Sequence, residues 1–423
     1  MGGRVIFHVD VNSAFLSWTA AYRVKVLGET LDLRTIPAVV AGDRESRRSI
    51  ILAKSIPAKK FGVQTGEPLG KAMDKCPGLV AVAPDYGLYV TASRKLLETL
   101  REFSPTVEQY SIDEAWVDMT GTTTLFGPPV LAAEAMKDRI RRELGFTVNI
   151  GISSNKLLAK VAGDFEKPDK VHTLFPDEIE TKMWPLPVRD LFSVGPATER
   201  KLRDLGISTI GQLAQADPDL LQRRLHKPGL ILWHFANGRG DDRLLAVPEA
   251  NKGYGNSMTT PWDVTTAEEG RQVLLSLCET VATRLRKDGK RAALVAVSIR
   301  SSSFQDVSKQ AQIPVATNVT EELYHAACRV FSALWDGKTP LRQMGVRVGK
   351  VTAESFRQRS LFEEKDYARM EKMDEAVDGI RAKYGEDAIL RARFLGGGVA
   401  GNMAGGADPT RRTGITKPIP KEY

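Results

Sequence analysis

Tyr110-Ser111-Ile112-Asp113-Glu114-Ala115-Trp116-Val117-Asp118 is the stretch on which the reading of this chain turns. Two strand-like runs, Val107 to Ser111 and Ala115 to Asp118, flank Ile112-Asp113-Glu114, which reads as a hairpin bend. The bend sets two adjacent carboxylates at the end of an apolar hairpin. A third acid occupies a similar place near the start. There Val5-Ile6-Phe7-His8-Val9 runs into Asp10, ahead of a helical stretch through Phe15, Trp18 and Tyr22. Singly, Asp113 and Glu114 are ordinary turn residues and Asp10 an ordinary helix cap. Together they are costly to bury unless paired or bound to a metal. Hard divalent cations such as Mg²⁺ take oxygen ligands. Two such ions roughly 3.5–4 Å apart suit phosphoryl transfer.

Working outward, Ile36 to Gly42 and Ser49 to Ala53 read as strands, and Ile56 to Gly62 as a short helix with Pro57 near its start. Residues 86–103 carry apolar residues at threes and fours. A helix over Val130 to Leu144 precedes a strand over Thr147 to Ile152. This order predicts one mixed sheet with the carboxylates at strand ends. The chain changes character around Lys167-Pro168-Asp169. Residues 186–245 read as all-helical. Residues 251–350 read as a separate α+β unit, with strands near 255–260, 293–300 and 344–348 and helices over 266–287 and 320–335. After residue 395 the Gly-rich composition cannot bury a core.

The motifs are long enough to resemble a known family. His8-Val9-Asp10-x-Asn12-Ser13-x-Phe15, Tyr110 to Ala115, and Asn149-Ile150-Gly151-Ile152-Ser153-Ser154-Asn155-Lys156 to Lys160, closed by Lys167-Pro168, are similar to the motifs of Y-family DNA polymerases of the bacterial polymerase IV type. The resemblance covers residues 4–350. It implies a multidomain α+β right hand: a ferredoxin-like palm (1–11 and 76–170), small fingers (12–75), an all-helical thumb with a helix-hairpin-helix (171–245) and an α+β little finger (250–350). A clamp-binding segment and flexible tail (351–423) follow. The implied activity is low-fidelity, template-directed DNA synthesis across damage. Asp10, Asp113, Glu114 and the Val11 carbonyl would hold two Mg²⁺ ions. Phe15 would be the steric gate against ribonucleotides, with Ser13, Lys59 and Lys167 also at the nucleotide.

One departure stands out. Ile56 occupies the place of a family Tyr and cannot hydrogen-bond a phosphate. Lys59 replaces an Arg, keeping the charge but losing the bidentate fork. Lys59 reads equally well as part of a solvated helix face. Ile50 and Leu52 align with residues that roof the templating base.

Leu191 to Ala197 resembles a helix-hairpin-helix, with Gly195 and Ala197 offering backbone N–H groups to a phosphate. Arg284, Arg286, Lys287, Lys290 and Arg291 form a basic cluster suited to the DNA backbone. Gln358-Arg359-Ser360-Leu361-Phe362 resembles a sliding-clamp peptide through Gln358, Leu361 and Phe362. The implied partners are primer-template DNA, dNTP and a bacterial sliding clamp, with the chain itself a monomer.

Composition narrows the class. The 423 residues include 60 Lys plus Arg and 52 Asp plus Glu, a net charge of +8. Residues 251–350 hold 14 basic and 9 acidic residues, a net +5. Cys76, Cys278 and Cys328 form no close pair, which argues against a disulfide framework or structural zinc. No apolar run approaches the roughly 18–20 residues of a membrane span. The start lacks a secretory pattern, so a cytoplasmic protein without membrane contact is expected. A non-catalytic repair accessory and a nucleotide cyclase are the alternatives. The three surviving acids weigh against the first, and the helix-hairpin-helix and basic unit against the second.

Overall fold

A computed structural model of the chain describes residues 3–42, 49–240, 243–245, 249–353, 366–385 and 388–394. The chain divides into two compact units, with a boundary between Glu249 and Ala250.

The first unit opens with β1 (Ile6–Val11), α1 (Ala14–Lys25), β2 (Ala38–Ala41), β3 (Ile51–Lys54), α2 (Ile56–Lys60), α3 (Leu69–Lys75) and β4 (Val80–Val82). It continues with α4 (Tyr86–Arg101), β5 (Val107–Gln109), β6 (Glu114–Asp118), α5 (Thr123–Phe126), α6 (Pro129–Leu144), β7 (Val148–Ser153), α7 (Lys156–Gly163) and β8 (Val171–Thr173). Five strands form one sheet in the order β5-β6-β1-β7-β8. Every residue of β7 is buried. Its sequence still alternates, with Val148, Ile150 and Ile152 in the core on one face and Asn149, Gly151 and Ser153 on the other. On one face, Leu96 and Leu100 of α4 and Met136 and Ile140 of α6 share a core with Phe7, Val9, Ile150 and Ile152. Their spacing of three and four residues follows the helix period. On the other face lies α7. A Cβ at Gly151 would stand 1.9 Å from the Ala159 carbonyl oxygen and 2.3 Å from the Gly163 nitrogen. Only glycine lets the helix backbone approach the strand this closely.

A second sheet, β3-β2-β4, has its own small core of Val39, Ile51, Ala58, Val63 and Leu69. Ser55 caps α2 by accepting a hydrogen bond from the Ala58 nitrogen at 3.1 Å. Helices α8 (Pro196–Arg203), α9 (Ile210–Gln215), α10 (Pro218–Leu225) and α11 (Lys227–Ala236) complete the unit. Their core includes Leu158 and Val161 of α7.

The second unit comprises β9 (Tyr254–Val264), α12 (Ala267–Lys287), β10 (Arg291–Ser301), β11 (Asp306–Thr317), α13 (Thr320–Ser332), β12 (Leu341–Thr352) and α14 (Tyr367–Tyr384). Its sheet runs β11-β10-β12-β9. Two of these elements differ from the sequence reading. The edge strand β11 was not expected. Its first seven residues are all exposed, so it shows no apolar alternation to read. The segment read as attachment and tail contains α14. Gln358, Leu361 and Phe362 lie outside the described residues.

Ion pairs fasten α14 to the unit. Arg286 Nε lies 2.6 Å from Asp378 and its Nη1 3.2 Å from Asp374. Both Arg286 and Asp374 have side chains only 6% exposed. Arg291 bonds Glu371 at 2.8 Å, and Glu279 accepts from Arg391 at 2.7 Å. Arg286 and Arg291 are therefore committed to the fold, unlike what was expected of them as members of the basic cluster. Their charges are matched inside the unit by acids that lie more than a sheet away in sequence. Arg284 and Lys287 stay exposed, and Lys290 is half-buried.

Removing one partner of a buried pair leaves the other charge uncompensated. Arg286→Ala is expected to lower unfolding stability by about 3 kcal/mol. Urea denaturation measures it, and an unchanged midpoint would show that this contact contributes nothing.

Candidate active site at the acidic end of the central sheet

Strand register assembles the acids. Asp10 of β1 sits opposite Glu114 of β6 on one side and Asn149 of β7 on the other. Residues directly opposite in an antiparallel pair have neighbouring Cβ atoms. Asp113 joins them through the backbone, because the Val11 nitrogen donates to its carbonyl at 3.1 Å. Ser111 shapes the bend. Its hydroxyl donates to Asp113 at 2.5 Å and accepts from the Glu114 nitrogen at 3.1 Å.

Each carboxylate has a partner of its own. Asp10 is bonded by Lys167, which also contacts Asp164 at 2.7 Å. Glu114 accepts from Lys160 at 2.7 Å. Burial, aided by the charges of Glu114 and Asp113 and opposed by Lys167, raises the Asp10 carboxyl to about 6. Burial opposes the Lys167 ammonium, but Asp10 and Asp164 outweigh it and push it up to about 12. His8 is fully enclosed beside Trp116, and burial together with Lys160 and Lys167 holds its ring well below the usual histidine range. Its 3.9 Å approach to Glu114 is accordingly a contact of a neutral ring, not an ion pair.

Among the described residues, no three acidic, cysteine or histidine side chains are drawn into a metal-holding group. The donor chemistry nonetheless fits a hard divalent cation. Three carboxylates lie within electrostatic reach of one another, and two ammonium groups now supply the counter-charge.

A cavity of about 380 Å³ opens over this end. It is lined by Asp10, Ser13, Lys54, Ile56, Lys59 and Lys167, among others. An adjoining cavity of about 220 Å³ includes Phe15, Leu52, Lys54 and Asp113. Phe15 stacks on Tyr89 with ring centroids 4.5 Å apart and planes 9° apart. Tyr86 and Trp18 meet the same ring on other sides. Ser13 is exposed with φ 49°, turning the chain from β1 into α1. Lys59 is exposed on α2. Leu52 faces the cavity, whereas Ile50 is 43% exposed and bridges to Pro68.

Gly195 caps α8, and Gly195 and Ala197 are both exposed at its start. They are remote in sequence from the acids but belong to the same unit.

Three contributors went unread in the sequence. Lys160 grips Glu114, and its signal was the i, i+4 spacing with Lys156 on one helix face. Lys54 lines both cavities, and its signal was a lone charge closing the apolar strand β3. The third is the wholly buried Asn149. Its amide donates to the carbonyls of Glu166 at 2.6 Å and Gly163 at 3.1 Å. Its oxygen accepts from Asn12 at 3.0 Å and from the Lys170 nitrogen at 3.3 Å. Asn149 thereby ties the loop that presents Lys167 to β1 and β7.

Family models match most of the chain. The profile of the impB/mucB/samB family matches residues 9–164, that of its C-terminal domain residues 251–361, and the IMS family HHH motif residues 176–207. DNA polymerase IV of Clostridium acetobutylicum is 42% identical over 392 residues, covering 93% of this chain and 98% of the relative. This chain belongs to the Y-family of DNA polymerases. Within that family it is similar to the polymerase IV members. DNA polymerase IV 2 of Bacillus subtilis is 37% identical over 403 residues, covering 93% of this polymerase and 95% of the relative. The fold matches that of a Y-family DNA polymerase chimera with a TM-score of 0.70 at 20% identity, over 83% of this chain and 100% of the other.

Asn149→Ala removes four hydrogen bonds from a buried site. An expected loss of about 2–3 kcal/mol in stability is measurable by denaturant titration.

Proposed function

We propose that this polymerase extends a primer 3′ end by template-directed, low-fidelity synthesis across damaged DNA, with Asp10, Asp113 and Glu114 as its catalytic acids. The observation that carries the reading is the β1–β6 register, which sets Asp10 beside Glu114 under a cavity edged with lysines. Residues 1–11 and 76–170 serve as palm, 12–75 as fingers, 171–245 as thumb and 250–350 as little finger. Asp10, Asp113, Glu114 and the Val11 carbonyl would hold two Mg²⁺ ions. When bound, the ions supply Lewis-acid charge for the primer hydroxyl and the leaving pyrophosphate.

The chain's own part is positioning and charge. Lys167 and Lys59 attract the triphosphate, and Lys167 exchanges its carboxylate partners for phosphate oxygens. Ser13 lies beside the same phosphates. Phe15, locked flat against Tyr89, presents a fixed surface beneath the sugar and leaves no room for a 2′-hydroxyl. The N–H groups around Gly195 and Ala197 hold a backbone phosphate. Arg284, Lys287 and Lys290 add sequence-independent contacts, which makes DNA affinity fall steeply with salt. Gln358, Leu361 and Phe362 dock on a bacterial sliding clamp. The polymerase acts as a cytoplasmic monomer. Among the described residues no helix is long and apolar enough to cross a membrane.

Primer extension with Mg²⁺ on undamaged and lesion-bearing templates tests the reading. Asp113→Asn and Glu114→Ala are expected to abolish extension while DNA binding, followed by anisotropy, persists. Continued extension by Asp113→Asn would overturn the assignment of the acids.

Phe15→Ala is expected to admit ribonucleotides, seen as a higher ratio of rNTP to dNTP insertion. Unchanged sugar discrimination would remove Phe15 from the gate.

A further inference from the structure

We propose that Lys54 contacts the triphosphate of the incoming nucleotide and supplies the contact that Ile56 cannot make; the proposal rests on the polymerase reading above. In β3, Ile51 is buried in the core of the second sheet and Ala53 in that of the central sheet. Leu52 and Lys54 are half-buried, and Leu52, Ala53 and Lys54 all line the smaller cavity. Leu52 lies in the smaller cavity with Phe15 and Asp113. Lys54, two residues further on, lines that cavity and also the larger one with Ile56, Lys59 and Lys167. It therefore stands where the sugar side of a bound nucleotide meets its phosphates.

Charge supports the same occupant. Among the described residues Lys54 makes no side-chain hydrogen bond or ion pair. The charges it feels are Lys59 and Lys75, of its own sign, and Glu67. Glu67 is already engaged, accepting from Lys75 at 2.6 Å and from the Gln64 nitrogen at 2.8 Å. Burial, with Lys59 and Lys75 adding to it, lowers the Lys54 ammonium from its ordinary range. Lys167, by contrast, is held by Asp10 and Asp164. An ammonium repelled by Lys59 and Lys75 and, among the described residues, paired with no carboxylate gains most from a polyanion entering the cavity. Ile56 lines the same cavity and has no polar atom in its side chain to offer. Ser55 between them is spent on the fold, donating to the Ile36 carbonyl at 2.7 Å and capping α2.

Single-nucleotide insertion by the full chain on primer-template DNA tests this with each of the four dNTPs. Lys54→Met is expected to raise the dNTP KM about tenfold, the weight of one charge-assisted hydrogen bond, and equally for all four bases. The kcat is expected to change far less, and DNA affinity by anisotropy not at all. Lys54→Arg retains the wild-type KM, and Lys54→Met with Ile56→Tyr recovers part of the loss. An unchanged KM, or a rise confined to one base, overturns the proposal; the latter identifies a base contact instead. Wild-type protein that fails to extend a primer sinks the polymerase reading rather than this one. Wild-type protein also gives a second measurement, independent of how the variant folds. With a dideoxy-terminated primer bound, dNTP is expected to protect Lys54 from amine acylation, mapped by mass spectrometry. Equal acylation with and without dNTP overturns the contact.

Discussion

A carboxylate at the end of a buried strand needs a counter-charge, and much of the first unit is arranged around meeting that need at Asp10. Sheet register compounds the demand by placing Glu114 directly opposite, with Asp113 one residue away. Acids this close raise one another's cost of ionisation. Relief comes from two lysines carried by different segments. Lys160 projects from α7, which lies close enough only because position 151 is glycine. Lys167 comes from the loop after α7, held in place by Asn149. Strand register, the close helix and the buried amide are thus parts of one electrostatic arrangement. The same arrangement suits an enzyme that must accept divalent cations and a triphosphate, since both kinds of charge already have counterparts on its surface.

The second unit meets a similar constraint differently. Arg286, Asp374 and Asp378 neutralise one another beneath α14. These charges are committed to the fold, and the residues left for a polyanion are the exposed ones such as Arg284 and Lys287. A count of basic residues overstates such a surface, because a guanidinium inside a unit cannot also neutralise a DNA phosphate.

Legibility differed by residue for physical reasons. β1, α4, α6, β7 and α12 could be read because periodicity or a continuous apolar run is a local property. Phe15 could be placed by its motif, but its stacking on Tyr89 joins α1 to a helix far along the chain. β11 could not be read, because its first seven residues are exposed and bury nothing that would impose alternation. Arg286 was misread for the converse reason. Its neighbours in sequence are solvated cations, while its true partners lie 88 and 92 residues on.

By itself the sequence determined the acidic constellation, the order of the elements around it and the family to which the chain belongs. Each of these rests on residue type and short spacing. Only the tertiary structure decided which cation serves which acid. Lys160 meets Glu114 across 46 residues and Lys167 meets Asp10 across 157. It also decided that Lys54 faces the cavities while Arg286 turns inward. Pairing between charges depends on distance through space, and no local pattern records which distant segments the packed core brings together.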